Sequence, residues 1–225
     1  MTVVRSKVLP GDFIGDVPLG PLPFNTYRIG NKLYSLKVGL AEVEDKEVKF
    51  IPLSGPYVPR INDFVIGTVV DLNAFTWDVD INSLYMAHLP AQDVFGRNFS
   101  SISNSLNEQF KIGDMMVAKI VTYDRTRDPL LTIREPGLGK VVRGEPIKLS
   151  SSKIPRLIGK KGSMAKIIES KTKTKLIIGQ NGVIIVQGSP EGIVLAIKAI
   201  RLIEEKAHVA SLTNMINELL SKESV

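Results

Sequence analysis

The chain has 225 residues, a formal net charge of +6 and no cysteine. Its 13 prolines and 18 glycines favour several small modules over one large core. The absence of thiols excludes a disulfide framework and a thiolate metal site, and two histidines are too few for an imidazole site. No apolar run reaches the ~20 residues that span a bilayer. We therefore expect a cytoplasmic protein without a cofactor or a membrane partner.

The positive charge is concentrated in the last third of the chain. Residues 146–225 carry 13 Lys and Arg against 6 Asp and Glu, whereas residues 60–145 carry 9 against 11. This surplus indicates an anionic partner such as nucleic acid, although a basic run is often only a solvated face.

Residues 1–59 are predicted to form a small β domain. Turn residues predict two hairpins, the first turning at Gly30-Asn31 and the second at Glu44-Asp45-Lys46. The segment is nearly neutral and has no cluster of ligand-forming side chains. A small β domain with exposed strand edges suits docking on a partner, and it could equally pack on the next domain.

Residues 60–137 contain five strand-like segments, which predict a small closed barrel. The alternation of polar and apolar residues is clearest in residues 75–81. A short joint at residues 135–140 predicts that the barrel is fixed against the next module. The strands are predicted at residues 64–70, 75–81, 84–89, 115–123 and 130–133.

Residues 138–225 contain the most informative motif, a loop of two glycines around two lysines at residues 159–162. Helical spacing of apolar residues on both sides predicts helix, tight turn, helix. Glycines allow such a turn and let another backbone approach closely. The second helix begins there with free amide groups and a positive dipole end, to which the lysines add charge. This arrangement suits an extended, negatively charged backbone.

The loop resembles the GxxG loop of a KH domain, which clamps single-stranded nucleic acid. The order around it, strand-helix-loop-helix-strand-strand-helix, resembles the type I KH fold, with strands at residues 146–150, 174–178 and 183–186. An amphipathic helix at residues 211–225 would cap the KH sheet or bind a partner. The predicted RNA contacts of this module are Gly159, Lys160, Lys161, Gly162 and the neighbouring Lys153, Arg156 and Lys166.

Residues 110–128 resemble the second half of an S1 domain, an OB-type barrel found in RNA-binding proteins. In that family an aromatic on the second strand and a histidine at the end of the third often face nucleic acid. Phe75 and His88 stand at the matching places, with Tyr85 and Trp77 nearby, although an aromatic here can equally belong to the core. Residues 60–145 carry more acidic than basic side chains, which predicts local phosphate contacts only. The candidates are Lys119, Arg125, Arg127 and Arg134.

The order of modules resembles that of the S1/KH cap subunit of the archaeal exosome over nearly the whole chain. A bacterial polynucleotide phosphorylase differs, because it places KH before S1 behind large phosphorolytic domains. The resemblance implies a multi-domain fold that is mainly β and then α+β. It also implies a non-catalytic protein present in three copies on a hexameric ring of RNase-PH-like subunits, to which it feeds single-stranded RNA 3′ ends.

Three other interpretations remain open from the residues. One is a freestanding S1/KH regulator of transcription or translation, and another is a structural scaffold. A metal-dependent nuclease using Asp78 and Asp80 is the third, but the chain offers no convincing catalytic constellation.

Overall fold

We describe the protein from a computed structural model, which covers residues 4–17, 22–23, 25–44, 47–53, 55–96, 99, 106–124, 126–207, 209 and 211–222. The chain divides into two compact units, residues 1–55 and 56–225. The expected fold class, a β domain followed by a barrel and an α+β module, is confirmed. The boundary expected after residue 137 lies within the second unit, so the three-way division remains a prediction. No helix among the described residues is long and apolar enough to cross a membrane.

The first unit consists of two three-stranded antiparallel sheets, β1-β5-β6 and β2-β4-β3. Both predicted hairpins are present, as β3–β4 and β5–β6, although residues 45–46 of the second turn lie outside the described residues. Val8, Ile14, Ala41 and Phe50 form a small shared core. The strands are β1 (Val4–Val8), β2 (Phe13–Asp16), β3 (Thr26–Ile29), β4 (Lys32–Ser35), β5 (Gly39–Glu44) and β6 (Glu47–Pro52).

The five predicted barrel strands are confirmed, with small shifts in their bounds. They follow the order β11-β9-β8-β7-β10, and β11 also pairs with β10, which closes the barrel. Two short helices that we did not predict, α1 (Ala91–Phe95) and α2 (Leu106–Gln109), contribute side chains to the barrel core. The strands are β7 (Phe64–Leu72), β8 (Thr76–Asp80), β9 (Met86–Pro90), β10 (Met115–Thr122) and β11 (Leu130–Thr132).

The last module has the predicted element order, with an antiparallel sheet β13-β15-β14. Its helices pack on one face of this sheet around a shared core. The Ser189 hydroxyl caps α5 by accepting a hydrogen bond from the Gly192 amide at 3.2 Å. The elements are β13 (Glu145–Lys148), α3 (Ile154–Ile158), α4 (Ser163–Thr172), β14 (Lys175–Ile178), β15 (Val183–Gln187), α5 (Pro190–Lys206) and α6 (Leu212–Lys222).

The C-terminal helix α6 packs on α4 and α5 rather than capping the sheet. Leu212, Ile216 and Leu220 recur at helical spacing on its buried face and join the core of the module. Helix α6 is therefore an integral layer of this module.

The other face of the sheet packs on the barrel. In β15, Ile184 and Val186 face the helices, whereas Val183 and Ile185 contact barrel residues such as Ile66. Since both faces are covered, this strand is one continuous apolar run. The joint between the modules includes β12 (Gly139–Lys140), which pairs with β10.

Asn181, at the tip of the β14–β15 turn, ties the two modules together by hydrogen bonds. Its fully buried side-chain amide donates to the carbonyls of Ile66 (2.7 Å) and Ile81 (2.8 Å). Its side-chain oxygen accepts from the Ile66 amide at 3.2 Å. The barrel and the last module are thus fixed against each other, as predicted.

Candidate nucleic-acid interface

The glycine loop between α3 and α4 has left-handed backbone geometry at three positions. Gly159 has φ 73° and Gly162 has φ 80°. A Cβ on Gly159 would lie 2.8 Å from the Cβ of Met164, so this position requires glycine. Lys161 has φ 54° and ψ 30°, a conformation that costs a non-glycine residue about 1–2 kcal/mol. The loop is therefore a strained turn that presents its lysines outward.

The lysines of this loop and its flank are exposed to solvent. Lys160, Lys161 and Lys166 are exposed, and none of them forms an ion pair within the part of the chain that the structure describes. Helix α4 begins at Ser163 with Gly162 as its N-cap and no side-chain cap. Its first amide, that of Ser163, donates to the Lys160 carbonyl, so this helix terminus favours an anion beside the lysines through its positive dipole end.

Two of the predicted contacts are already engaged elsewhere. The Lys153 ammonium donates to the Glu204 carbonyl at 2.8 Å, and the Arg156 guanidinium donates to the Val209 carbonyl at 2.7 Å. Lys171 likewise donates to the Ser221 hydroxyl at 2.8 Å. These cations anchor the C-terminal elements, and a role of Lys153 or Arg156 in RNA binding remains a prediction.

Partly buried apolar side chains continue from the loop toward the sheet. Ile158, Ile167, Leu176 and Ile178 pack against the core of the module while keeping part of their surface accessible. β14 is an edge strand of the sheet. Beside it, Glu169 of α4 accepts a hydrogen bond from the Leu176 amide at 2.8 Å. We did not single out Glu169 from the sequence, although its place in a basic run was a usable signal.

Phe75 and Trp77 have opposite environments. Trp77 is fully buried, and its indole donates to the Phe110 carbonyl at 3.2 Å. Phe75 is 62% exposed and precedes β8 instead of lying on it. Its ring meets Phe99 edge-on at 6.4 Å between centroids. Trp77 is therefore a core residue, and Phe75 presents an aromatic ring to solvent.

His88 is held between two carboxylates on the outer face of the barrel. Its Nδ1 lies 2.8 Å from Asp78 Oδ1, and its Nε2 lies 3.5 Å from Asp128 Oδ2. Tyr85 is half-buried and packs edge-on against Tyr123 at 5.2 Å between ring centroids. The histidine is thus oriented by its neighbours, and Asp78 is the partner of His88. The described residues contain no group of three or more carboxylates and histidines arranged to hold a metal ion.

The predicted barrel cations differ in their availability. Lys119 pairs with Glu135 at 2.5 Å, and Arg134 pairs with Asp93 at 3.1 Å. Arg127 is exposed, and Arg125 lies outside the described residues. Lys119 and Arg134 are therefore already neutralised, and contacts from all four to RNA stay predictions.

A closed barrel of the OB type joined to a KH module defines a multidomain protein of the nucleic-acid-binding class. Comparison with protein families agrees with this description. Residues 145–202 match the KH domain family, and residues 5–54 match the family described as exosome RNA binding protein RRP4 N-terminal domain.

Relatives of similar length extend the match to nearly the whole chain. Exosome complex component Rrp4 of Nitrosopumilus maritimus is 48% identical over 97% of this chain and 96% of its own length. The protein of the same name from Thermofilum pendens is 41% identical over 97% and 93%. The chain therefore belongs to the family of exosome complex component Rrp4 proteins.

A solved structure supports the fold independently. It is the crystal structure of a protein described as a proposed exosome complex RNA-binding protein, with a TM-score of 0.71 and 39% sequence identity. The similarity covers 75% of this chain and 97% of that chain.

Proposed function

We propose that this protein is an RNA-binding cap subunit of an exosome. It captures single-stranded RNA 3′ ends and feeds them to a phosphorolytic ring of RNase-PH-like subunits for 3′-to-5′ degradation. Three copies on a hexameric ring, acting in the cytoplasm, are part of the same proposal. The observation that carries it is the loop at residues 159–162 in a chain of the Rrp4 family, whose two lysines are exposed and form no ion pair with any described residue.

The loop is suited to gripping a phosphate backbone without reading its sequence. Lys160 and Lys161 supply charge, and the positive dipole end of α4 lies in the same place. The partly apolar surface toward β14 gives unstacked bases a place to pack. A strand held in this way meets the ring at a raised effective concentration, so capture promotes degradation without chemistry in this subunit.

The barrel adds a second kind of contact. Phe75 exposes its ring, and a base stacked on such a ring contributes roughly 1–3 kcal/mol. His88, fixed by Asp78, lies on the outer face of β9. Since carboxylates pair with two of the four barrel cations, Lys119 and Arg134, we assign this face to base contacts more than to phosphates.

The first unit is assigned to docking on the ring. Phe13, Tyr34 and Tyr27 face each other across strands β2, β4 and β3. Ring centroids are separated by 5.9 Å for Phe13 and Tyr34 and by 5.4 Å for Tyr34 and Tyr27. Phe13 remains 53% exposed in the isolated chain. Exposed aromatics of this kind are enriched in protein interfaces.

A native pull-down with the tagged full chain tests this proposal against a freestanding regulator. We expect co-purification of phosphorolytic ring subunits, with one copy of this chain for each pair of ring subunits. A chain that is recovered alone from its native extract, but still binds RNA, would contradict the cap assignment and favour the regulator.

A further inference from the structure

Glu169 is an isolated carboxylate in a strongly basic stretch. Residues 146–190 contain no other Asp or Glu. It lies in the last turn of α4, where its own carbonyl accepts a hydrogen bond from the Thr174 amide at 3.2 Å. Its side-chain Oε1 accepts from the Leu176 amide at 2.8 Å. The backbone carbonyl and the side-chain carboxylate of Glu169 therefore both accept hydrogen bonds from the start of β14 and the residue before it.

The hydrogen bond to Leu176 lies on the open edge of the sheet. Among the described residues β14 pairs with β15 alone, and the register joins Leu176 to Val186 and Ile177 to Ile185. Successive residues of an antiparallel strand direct their backbone groups to opposite sides. The Leu176 amide points away from β15, because it bonds Glu169. Because Glu169 already accepts the hydrogen bond of the Leu176 amide, a ligand at this edge contacts the Glu169 carboxylate and not that amide.

Within the described part of the chain, no cation neutralises the second carboxylate oxygen of Glu169, Oε2. Although lysines surround this residue in sequence, none forms an ion pair with it among the residues that the structure describes. The side chain is half-buried. An ionised carboxylate only accepts hydrogen bonds. Oε2 is thus an acceptor in a sequence segment, residues 146–190, whose other charged side chains are all positive.

We propose that Glu169 is a specificity-determining residue that selects bases carrying an exocyclic amino group and disfavours uracil. This inference rests on the proposed binding of single-stranded RNA by the KH module. The N4 amino group of cytosine donates to a carboxylate. At the same position uracil has the O4 carbonyl, which would leave two acceptors facing each other. Lys160 and Lys161 hold the backbone of any sequence, and Glu169 discriminates among the bases beside it.

The substitution Glu169→Gln separates base selection from a purely structural role. Glutamine has the same shape and keeps an oxygen that can accept from the Leu176 amide. It replaces the second oxygen with an NH₂ group, which can donate to uracil O4. The matched control is Glu205→Gln, which changes the charge equally at an exposed position of α5.

The experiment measures the affinity of the full chain for short oligo(C) and oligo(U) at one salt concentration. For the wild type we expect oligo(C) to bind about tenfold more tightly, the scale of one charge-assisted contact. Glu169→Gln should bring the two affinities together, mainly by improving binding of oligo(U), and Glu205→Gln should leave their ratio unchanged.

A second measurement uses only the wild-type chain and does not depend on how the variant folds. Oligo(C) with two methyl groups on each N4 lacks the donor and should lose the advantage over oligo(U). If neither N4 methylation nor Glu169→Gln alters the ratio of the affinities for oligo(C) and oligo(U), the role of Glu169 is overturned and the proposed RNA binding is not. A wild-type chain that binds neither oligomer would overturn the proposed RNA binding and this inference with it.

Discussion

The KH loop and the barrel face offer RNA two different kinds of surface. In the loop, Lys160 and Lys161 are exposed and unpaired among the described residues. On the barrel, Lys119 is held by Glu135 and His88 by Asp78, while Phe75 is left exposed. The comparison suggests a division of roles, in which the loop attracts the RNA phosphates by its charge and the barrel stacks a base on its exposed aromatic ring.

The largest effect is expected from reversing the charge of the loop. Lys160→Asp with Lys161→Asp should lower the affinity for single-stranded RNA about a hundredfold at low salt, since each charge-assisted contact contributes about 1.5 kcal/mol. The loss should be similar for all sequences. Fluorescence anisotropy with several oligonucleotides measures it.

The matched control reverses two exposed lysines outside the loop, with Lys148→Glu and Lys206→Glu. This variant changes the net charge equally and should weaken binding far less. Equal losses in both variants would mean that overall charge, and not the loop, attracts the RNA.

A substitution in the loop backbone should reduce stability. Gly159→Ala places a methyl group against Met164 at a positive φ, and we expect a loss of about 2 kcal/mol in the free energy of unfolding. Gly162→Asn is the control, because a Cβ there meets no atom within 4 Å and asparagine tolerates this backbone conformation. Chemical denaturation of both variants measures the difference, and equal stabilities would contradict the packing argument.

Removal of the exposed barrel aromatic should affect binding and not folding. Phe75→Ala is expected to cost roughly 1–2 kcal/mol of RNA affinity if one base stacks on this ring. Leu84→Ala, at a position that is 77% exposed, should have little effect on either property. Unaltered RNA affinity in Phe75→Ala would remove the barrel aromatic from the interface.

The smallest effect is expected at the ion pair between Asp114 and Lys140 in the barrel region. The backbone hydrogen bond from Lys111, followed by the hydrogen bond from Lys140, lowers the pKa of the Asp114 carboxyl. A lowered pKa stabilises the fold above the unfolded-state pKa of about 3.9, and this contribution disappears as the pH falls through the folded-state pKa.

Asp114→Asn should therefore cost about 0.5–1 kcal/mol at pH 7. The difference from the wild type should shrink below about pH 4. Urea denaturation at pH 7 and at a pH below about 4 measures this difference in the free energy of unfolding. The control Glu205→Gln changes an exposed carboxylate of α5, and a deficit in Asp114→Asn that persists unchanged at low pH would contradict the assignment.

Local patterns were sufficient to predict much of this structure. The turn at Gly30-Asn31 predicted the β3–β4 hairpin, because a two-residue turn of this type determines which strands pair. The spacing of apolar residues around Gly159 and Gly162 predicted α3 and α4. Helix α1 was missed because it follows Pro90 directly at the end of β9, so no separating turn marks its start.

Contacts that depend on distant backbone groups could not be predicted. Lys153 and Arg156 donate to carbonyls that lie 51 and 53 residues further along the chain, and a carbonyl carries no sequence signature. Asn181 precedes a glycine between two strands, a context typical of an ordinary turn, yet its side chain is fully buried against the barrel. The sequence therefore predicted a set of candidate cations, but it could not predict which of them are hydrogen-bonded within the chain.

The salt dependence of RNA affinity tests the division of roles most directly. It should be measured for the full-length wild type, the Lys160→Asp/Lys161→Asp variant and Phe75→Ala with one single-stranded RNA. We predict that the loop variant lowers the magnitude of the log–log slope by about 1.4, at about 0.7 for each lost phosphate contact, whereas Phe75→Ala leaves the slope unchanged. An unchanged slope in the loop variant, or an equal decrease in both variants, would contradict the account.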